Sequence, residues 1–129
     1  MAPRPVVFAL ANPEPEVFAE ELAPDTVIAT GRSDFPNQIN NSLCFPGFFR
    51  GALSVRASYV TATMKQAATR AIAACVTDEE LGLGVIVPSM FQPRVHEQVA
   101  AAVAEAWASE HPAAPAGPGT PFPTWTEPQ

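Results

Sequence analysis

Short apolar runs, each closed by a turn signal, constrain the fold of this chain most. PVVFALAN (5–12) ends at an Asn-Pro pair, and DTVIATG (25–31) ends at a glycine. The segment between them, EPEVFAEELA (14–23), is acidic and long enough for one or two helical turns. Runs of this kind are typical of strands buried on both faces, and their alternation with a helical piece predicts a βαβ unit with a parallel sheet.

The rest of the chain continues the alternation of helices and strands. We expect a helix from Asn40 or Asn41 toward Leu53 with a bend at Pro46–Gly47, a helix over 61–76, a capped turn at 77–82, a third strand at 84–88 and a last helix from Pro93. The predicted fold class is α/β, a partial Rossmann-type doubly wound parallel sheet with three short strands and flanking helices. Since a complete fold of this type has more strands, we expect its N-terminal part to be absent.

The composition changes near the end of the chain. Residues 111–129 carry six of the fifteen prolines, so we expect residues 1–110 to form one domain and residues 111–129 to be a disordered tail. No apolar segment approaches the about 20 residues that span a bilayer. The N-terminus lacks the pattern of a signal peptide, and we therefore expect a cytoplasmic protein.

Charge and cysteine content exclude several classes of function. The net charge is -6 and the seven basic residues are scattered, so no basic surface for nucleic acid is predicted. Cys44 and Cys75 form no CxxC pair and are expected to be reduced thiols. His96 and His111 have no evident partner, and no residues have the spacing of a metal site.

The four asparagines follow two of the predicted strands in the sequence. Asn12 follows the first strand, whereas Asn37, Asn40 and Asn41 lie in the loop that begins at Gly31. Because ligands of open α/β sheets bind beyond the carboxyl ends of the strands, these amides are expected at one edge. Amide groups suit a carboxylate, a hydroxyl or a carboxamide. A turn at the Asn-Pro pair and helix capping by the later asparagines explain the same residues without a ligand.

Other residues with catalytic chemistry are sparse. The glycines form no phosphate-binding loop. Tyr59 and Lys65 are a conceivable acid–base pair, but their positions at the start and on the polar face of a helix favour surface roles. Arg32 and Arg50 flank the asparagine loop, where they can pair with a carboxylate substrate or form surface salt bridges. The residues alone predict a pocket without an assigned reaction.

The sequence strongly resembles the NAD(P)-binding domain of bacterial malic enzymes. The resemblance covers residues 5 to 108 and includes, in order, FALANPEPE, ATGRSDFPNQINNSLCFPGFFRGAL, MKQAATRAIA, VIVPSMFQPRV and VAAAVAEAWA. It implies that the chain is the C-terminal part of that Rossmann-type domain. The activity it implies is oxidative decarboxylation of malate to pyruvate and CO2, with reduction of NAD or NADP and a divalent metal, Mg or Mn.

The resemblance also implies residue roles. Asn12 is expected to contact malate and the nicotinamide end of the cofactor, and Asn40 and Asn41 are expected to contact the malate carboxylate. The family's catalytic tyrosine and lysine, its acidic metal ligands and its dinucleotide glycine motif lie upstream of the matching segment. No catalytic or metal-binding residue is therefore assigned here, and we expect the isolated chain to be inactive.

Two kinds of partner follow from these expectations. As part of an enzyme, the chain needs the missing N-terminal part or a homologous subunit, and the complete enzyme is expected to be a homo-oligomer. The alternative is a non-catalytic interaction module, or an inactive remnant, that associates with a full-length malic enzyme subunit or with a copy of the same chain. An exposed sheet edge and apolar helix faces motivate this second interpretation.

Overall fold

The computed structural model describes residues 3–112, which form a small parallel sheet and a layer of helices. In chain order the elements are β1 (Val6–Ala9), a 3-10 turn (Ala19–Glu21), β2 (Val27–Thr30), a second 3-10 turn (Asn41–Leu43), α1 (Phe45–Ser54), α2 (Ala62–Ala73), α3 (Asp78–Gly82) and α4 (Pro93–Glu110). None of the helices in this range is both long enough and apolar enough to cross a membrane. All but the first two residues of the predicted tail, 111–129, lie outside the described residues.

The sheet confirms the predicted parallel βα arrangement. β1 and β2 pair in parallel, with Val6 opposite Val27 and Ala9 opposite Thr30. The connection between them contains only the three-residue 3-10 turn, shorter than the helix predicted over 14–23. The turn begins only after Phe18, whose N–H donates to Glu21 Oε2 at 2.9 Å. Pro24 disfavours helical backbone at Ala23, so the segment has room for a single turn.

β1 is covered on one face only, contrary to the prediction that both faces are buried. Ala9 is buried, and so is its neighbour Ala29 on β2. Val6, Phe8 and Leu10 are 57%, 56% and 54% exposed. Alternate residues of a strand point to opposite faces, so these three side chains share the uncovered face.

Residues 84–88 do not form the predicted third strand, because the side chain of Asn37 takes the place of a strand ladder. Asn37 Nδ2 donates to the carbonyl oxygens of Ile28 at 3.2 Å and Gly84 at 2.9 Å. The Ile86 N–H donates to Asn37 Oδ1 at 2.7 Å. One buried amide therefore connects β2 to the segment that follows α3, and no residue of 84–88 belongs to a strand.

The loop after β2 turns back onto the strand end. The Ile39 N–H donates to the Thr30 carbonyl at 2.7 Å, and the Thr30 N–H donates to the Asn37 carbonyl at 3.3 Å. Asn37 itself has a φ of 60°, in the left-handed region that asparagine tolerates better than most residues. The two backbone hydrogen bonds and this φ close the loop over residues 31–37, and they thereby fix the position of Asn40 and Asn41.

α4 is the central helix, and both α1 and α2 pack against it. Val95, Val99 and Val103, spaced four residues apart as predicted, are fully buried. α1 approaches α4 through two glycines: a Cβ at Gly47 would lie 2.6 Å from the His96 carbonyl oxygen, and one at Gly51 would collide with the Ala100 carbonyl. The backbones of the two helices are therefore in direct contact.

The predicted helix over 40–53 is two elements separated at Cys44. The 3-10 turn ends at Leu43, and Pro46 lies in the first turn of α1, where its missing N–H costs nothing. Proline thus starts a helix here and does not bend one. Cys44 and Cys75 are free thiols, as predicted, and burial raises the pKa of both.

Side chains cap the N-termini of α2 and α3. The Met64 N–H donates to Thr61 Oγ1 at 3.1 Å at the start of α2. At the start of α3, Thr77 and Glu80 form a reciprocal capping box, with the Thr77 N–H donating to Glu80 Oε2 at 2.8 Å and the Glu80 N–H to Thr77 Oγ1 at 3.2 Å. These contacts supply the capped turn expected at 77–82.

Candidate functional site

Asn12 lies beyond the carboxyl end of β1 and against the residue that follows β2. A Cβ at Gly31 would lie 2.6 Å from Asn12 Oδ1 and 3.1 Å from Nδ2. Glycine at position 31 therefore leaves room for the Asn12 amide. This amide is exposed and has no hydrogen-bond partner among residues 3–112, so its donors and acceptor are free for a ligand.

Asn40 and Asn41 lie where the loop enters the second 3-10 turn. Asn40 Oδ1 accepts hydrogen bonds from Ser42 N at 3.0 Å and Ser42 Oγ at 2.9 Å, so this residue is the cap that the sequence predicted. Its Nδ2 makes no hydrogen bond to the described residues. Asn41, the first residue of the turn, is exposed, and its side chain likewise has no partner in the described range.

The returning loop connects the two asparagine positions. Gln38 Nε2 donates to the Gly31 carbonyl at 3.4 Å, and the Asn12 amide also packs on Gly31. Asn40 follows Ile39, whose N–H is bonded to Thr30. Both asparagine positions are thus tied to the last residues of β2. Their use by one ligand stays a prediction.

Asn37, counted with the other loop asparagines in the sequence analysis, has a structural role. It is 8% exposed, and both of its amide atoms are bonded to backbone groups. Both of its N–H donors are used and its oxygen already accepts one backbone hydrogen bond, so these contacts account for the residue without a ligand. Its position between Pro36 and Gln38 gave no sequence signal that would have separated it from Asn40 and Asn41.

A cavity of about 290 Å³ beside the loop was not foreseen from the sequence. It lies between the loop after β2 and the segment that precedes α4, and its lining includes Ser33, Asn37, Gln38, Val87, Ser89 and Gln92. Ser42 Oγ, which contacts Asn40, also lies 3.0 Å from Sδ of Met90 in the cavity wall. The cavity is therefore adjacent to the Asn40 cap, although neither Asn12 nor Asn41 lines it.

Arg32, a charged residue of the loop at this edge, binds a carboxylate of the same loop. Arg32 forms a bidentate salt bridge with Asp34, through Nε at 2.9 Å and Nη2 at 2.7 Å. The hydrogen bond from Arg32 holds the pKa of Asp34 below its usual range. The guanidinium also lies 5.1 Å from the centre of the Phe35 ring. Of the two roles considered for Arg32, the surface salt bridge is the one observed.

The carboxylate of Glu16 binds the backbone of the segment that carries Asn12. Glu16 Oε2 accepts a hydrogen bond from the Ala11 N–H at 3.1 Å, and this bond lowers the pKa of Glu16. The contact closes the short turn between Ala11 and Glu16. It fixes the backbone immediately before Asn12 without using the Asn12 side chain.

Tyr59 and Lys65 do not form an acid–base pair in the structure. The Tyr59 hydroxyl lies 3.1 Å from His111 Nε2, and the His111 ring stacks on Trp107 with centres 3.8 Å apart. His96 Nε2 lies 3.1 Å from the Met90 carbonyl oxygen. The expectation that both histidines lack partners was wrong, because each one contacts a backbone or hydroxyl group near an end of α4.

No three His, Cys, Asp or Glu side chains come together in a way that could hold a metal ion within residues 3–112. The residues of this range therefore do not fit the divalent metal that the resemblance implies.

The family model described as malic enzyme, NAD binding domain, matches residues 1–108. This chain belongs to the malic enzyme family. The match includes both strands, the asparagine loop and nearly all of α4, so the whole described sheet edge lies within the NAD-binding domain of that family.

Individual relatives agree with this assignment. The chain is 56% identical over 107 residues to the NAD-dependent malic enzyme of Geobacillus stearothermophilus and 52% identical over 108 residues to the bifunctional malic/malolactic enzyme of Bacillus subtilis. In both cases 82% of this chain is covered, but only 22% and 26% of the relative. The chain thus spans about a quarter of the length of these malic enzymes.

Solved structures show the same fold. The malic enzyme from Pyrococcus horikoshii superposes with a TM-score of 0.74 at 50% identity, covering 82% of this chain and 24% of that one. The NAD-dependent malic enzyme from Thermotoga maritima gives a TM-score of 0.69 at 44% identity. These likenesses confirm the α/β, Rossmann-type prediction.

Proposed function

We propose that this chain supplies the amide-bearing edge of a malic enzyme NAD-binding domain, the C-terminal part of that domain. The observation that carries the proposal is the free amide of Asn12, packed on Gly31 at the carboxyl end of a parallel strand pair. This is the edge where open α/β sheets bind their ligands.

The reaction we propose for the complete enzyme is oxidative decarboxylation of malate to pyruvate and CO2, with NAD or NADP as the hydride acceptor. Relatives named NAD-dependent and NADP-dependent malic enzymes support a nicotinamide cofactor. Neutral amides suit both partners, because they can donate to a malate carboxylate and to a nicotinamide carboxamide without adding charge. Asn12 is assigned to both ligands, and Asn40 Nδ2 and Asn41 to the malate carboxylate.

The general base and the divalent metal, Mg or Mn, are assigned to the part of the enzyme outside this chain. The described residues offer no ligand set for a cation, so no step of the reaction is routed through one here. We accordingly expect the purified chain to produce no NADH or NADPH from malate in the presence of Mg²⁺ or Mn²⁺. Malate-dependent turnover by the chain alone would contradict this assignment.

A chimera tests the proposed roles of the asparagines. The matching 107 residues of the Geobacillus stearothermophilus enzyme are replaced by those of this chain, and malate-dependent NADH production is measured. We expect Asn12→Ala and Asn41→Ala to raise the KM for malate about 10-fold or more, since a hydrogen bond to a charged group contributes roughly 1.5–3 kcal/mol.

The control for these variants is Gln66→Ala. Gln66 is an exposed amide on α2, away from the sheet edge, and its loss should leave both kinetic constants unchanged. If the chimera is active and neither asparagine variant alters the KM for malate or for the cofactor, the proposed contacts are wrong.

The second candidate function is a non-catalytic module that associates with a full-length malic enzyme subunit. The open edge of β1 and its exposed apolar face favour it. Co-elution of the purified chain with a full-length relative in size-exclusion chromatography would support it, and separate elution at every mixing ratio would remove it. For either function we propose a cytoplasmic location, which the two unpaired thiols support.

A further inference from the structure

The side-chain amide of Asn40 has a defined orientation. Its Oδ1 accepts hydrogen bonds from the Ser42 N–H at 3.0 Å and from Ser42 Oγ at 2.9 Å. Because a backbone N–H can only donate, the oxygen of the amide and not its nitrogen must face Ser42. The amide group is planar, so Nδ2 points away from the turn. Asn40 is exposed, and both N–H donors of Nδ2 are therefore accessible to a ligand.

The hydroxyl of Ser42 lies between two acceptors. Its Oγ is 2.9 Å from Asn40 Oδ1 and 3.0 Å from Sδ of Met90. A hydroxyl has one proton to donate, and a thioether is a weak acceptor, so the proton goes to the Asn40 oxygen. Sδ of Met90 contacts the same hydroxyl oxygen and limits its movement away from Asn40.

Met90 is itself held through both its side chain and its backbone. The side chain packs against a buried cluster of Leu43, Cys75 and Val95. The Met90 carbonyl oxygen lies 3.1 Å from Nε2 of His96, which donates because a carbonyl can only accept. α4 thus fixes the backbone of Met90, and the buried cluster fixes its thioether beside Ser42.

We propose that Ser42, supported by Met90, is a positioning residue that directs both Nδ2 donors of Asn40 toward the substrate. Two hydrogen bonds to one oxygen restrict rotation of the amide more than one hydrogen bond does, and a binding group held in this way is preorganised. The amide then presents donors to an anionic oxygen, such as that of a malate carboxylate, and no acceptor to a cationic group. The inference rests on the proposed function and adds residues that do not touch the substrate.

Ser42→Ala in the chimeric enzyme tests the role of the hydroxyl. The variant loses one of the two hydrogen bonds to Asn40 and keeps the other, which comes from the backbone. The KM for malate should rise about 3- to 10-fold with kcat unchanged, because a less ordered amide weakens ground-state and transition-state binding alike. Ser109→Ala is the matched control, since the Ser109 hydroxyl donates to the Ala106 carbonyl near the other end of α4. It should leave both constants unchanged.

A double substitution separates positioning from direct contact. If Ser42 acts only through Asn40, Ser42→Ala should not alter the KM further in an Asn40→Ala enzyme. Additive effects would overturn the inference, because Ser42 would then act on malate by another route. A raised KM in Asn40→Ala without any effect of Ser42→Ala would also overturn it, and that result would leave the proposed function intact.

Asn40→Asp tests the direction of the donors without removing the cap. A carboxylate accepts the same two hydrogen bonds from Ser42, and aspartate caps as well as asparagine, so the free energy of unfolding should not fall. The outward atom, however, becomes an anionic oxygen. The KM for malate should therefore rise more than in Asn40→Ala, since like charges would face each other. An unchanged KM would remove both this inference and the malate contact proposed for Asn40.

Substitutions of Met90 test its support of Ser42. Met90→Ala opens space beside the hydroxyl and should raise the KM for malate about as much as Ser42→Ala, whereas Met90→Leu keeps most of the apolar volume and should have a smaller effect. Circular dichroism checks that each variant is folded.

Nuclear relaxation of the Asn40 side-chain nitrogen in the purified chain measures the order of the amide without malate or cofactor. The order parameter of this nitrogen should fall in Ser42→Ala and Met90→Ala and change less in Met90→Leu. The same order parameter in Ser42→Ala as in the unmodified chain would overturn the inference, whatever the kinetic result.

Discussion

The amide of Asn12 occupies the space that a side chain at Gly31 would need. A Cβ at that position would lie 2.6 Å from Oδ1 and 3.2 Å from Cγ of Asn12. The contact joins the residues that follow two neighbouring parallel strands. It makes Gly31 a determinant of where the Asn12 amide points, and this can be tested separately from any effect on folding.

Gly31→Ala should displace the Asn12 amide with little loss of stability. The clashing atoms are the far end of an exposed side chain, which can rotate away, so the free energy of unfolding should change by less than about 0.5 kcal/mol. In the chimeric enzyme the KM for malate should rise, as it should for Asn12→Ala. Additive effects of the two substitutions would count against the coupling, because a displaced amide cannot be lost twice.

Asn37→Ala should destabilise the chain by about 2–4 kcal/mol. The substitution removes three hydrogen bonds and leaves backbone groups of Ile28, Gly84 and Ile86 without these partners. Asn37→Gly keeps the left-handed backbone available and should recover only about 1 kcal/mol of the loss. Urea unfolding measures both. Asn41→Ala, an exposed amide in the same loop, should change stability little, and an equal loss there would contradict the role given to Asn37.

Gly51→Ala should destabilise the packing of α1 on α4. The added methyl group would meet the Ala100 carbonyl, a backbone atom that cannot rotate away, and overpacking of this kind costs about 1–3 kcal/mol. Gly82→Ala is the matched control at the end of α3, where no atom lies within 4 Å of the new Cβ. That variant should be neutral or more stable by up to about 1 kcal/mol. Relative to the unmodified chain, the midpoint of thermal unfolding should fall clearly for Gly51→Ala and should stay the same or rise for Gly82→Ala.

The capping box of α3 should make stability depend on pH in the acidic range. Hydrogen bonds from the Thr77 backbone and side chain lower the pKa of Glu80 in the folded chain. The stabilisation is fully present above the pKa of an unfolded glutamate, about 4.3, and is lost as the pH falls through the lower folded pKa. The stability difference between the unmodified chain and Glu80→Ala should thus be largest near neutral pH and should shrink on acidification.

Glu79→Ala separates this effect from general helix electrostatics. Glu79 lies in the same first turn of α3, but no hydrogen bond to its side chain forms in the described structure. Urea unfolding of the two variants between about pH 7 and pH 3 makes the comparison. The same pH profile for Glu79→Ala and Glu80→Ala would show that the capping contact is not the cause.

The spacing of apolar residues was sufficient to predict α4 and the two parallel strands. The four-residue spacing of Val95, Val99 and Val103 identified α4, and the two β-branched runs identified the parallel pair. The predicted third strand was wrong because a half-buried loop segment and a paired strand give the same apolar run. The side chain of Asn37, 47 residues from Gly84 along the chain, bonds to the segment where a neighbouring strand would pair, and no local pattern reveals this contact.

The candidate site was predicted in part. The position of Asn12 at a strand end and the capping role of Asn40 follow from residue order, since parallel strands end at one edge and asparagine caps helical turns. The contact of Asn12 with Gly31 and the cavity beside Ser89 depend on how the loop returns to β2. No local pattern encodes that return, because it is fixed by backbone hydrogen bonds between Thr30 and residues 37–39.

The uneven distribution of buried side chains has a consequence for motion. α1, α2 and α4 share a cluster that includes Phe48, Met64 and Val99, whereas the four-residue strands add only Ala9, Ala29 and Thr30 to the buried set. Regions with few buried contacts open at lower free energy than the regions around a core. The strands can therefore open while the helices stay folded, and the Asn12 amide belongs to the part of the chain that fluctuates first.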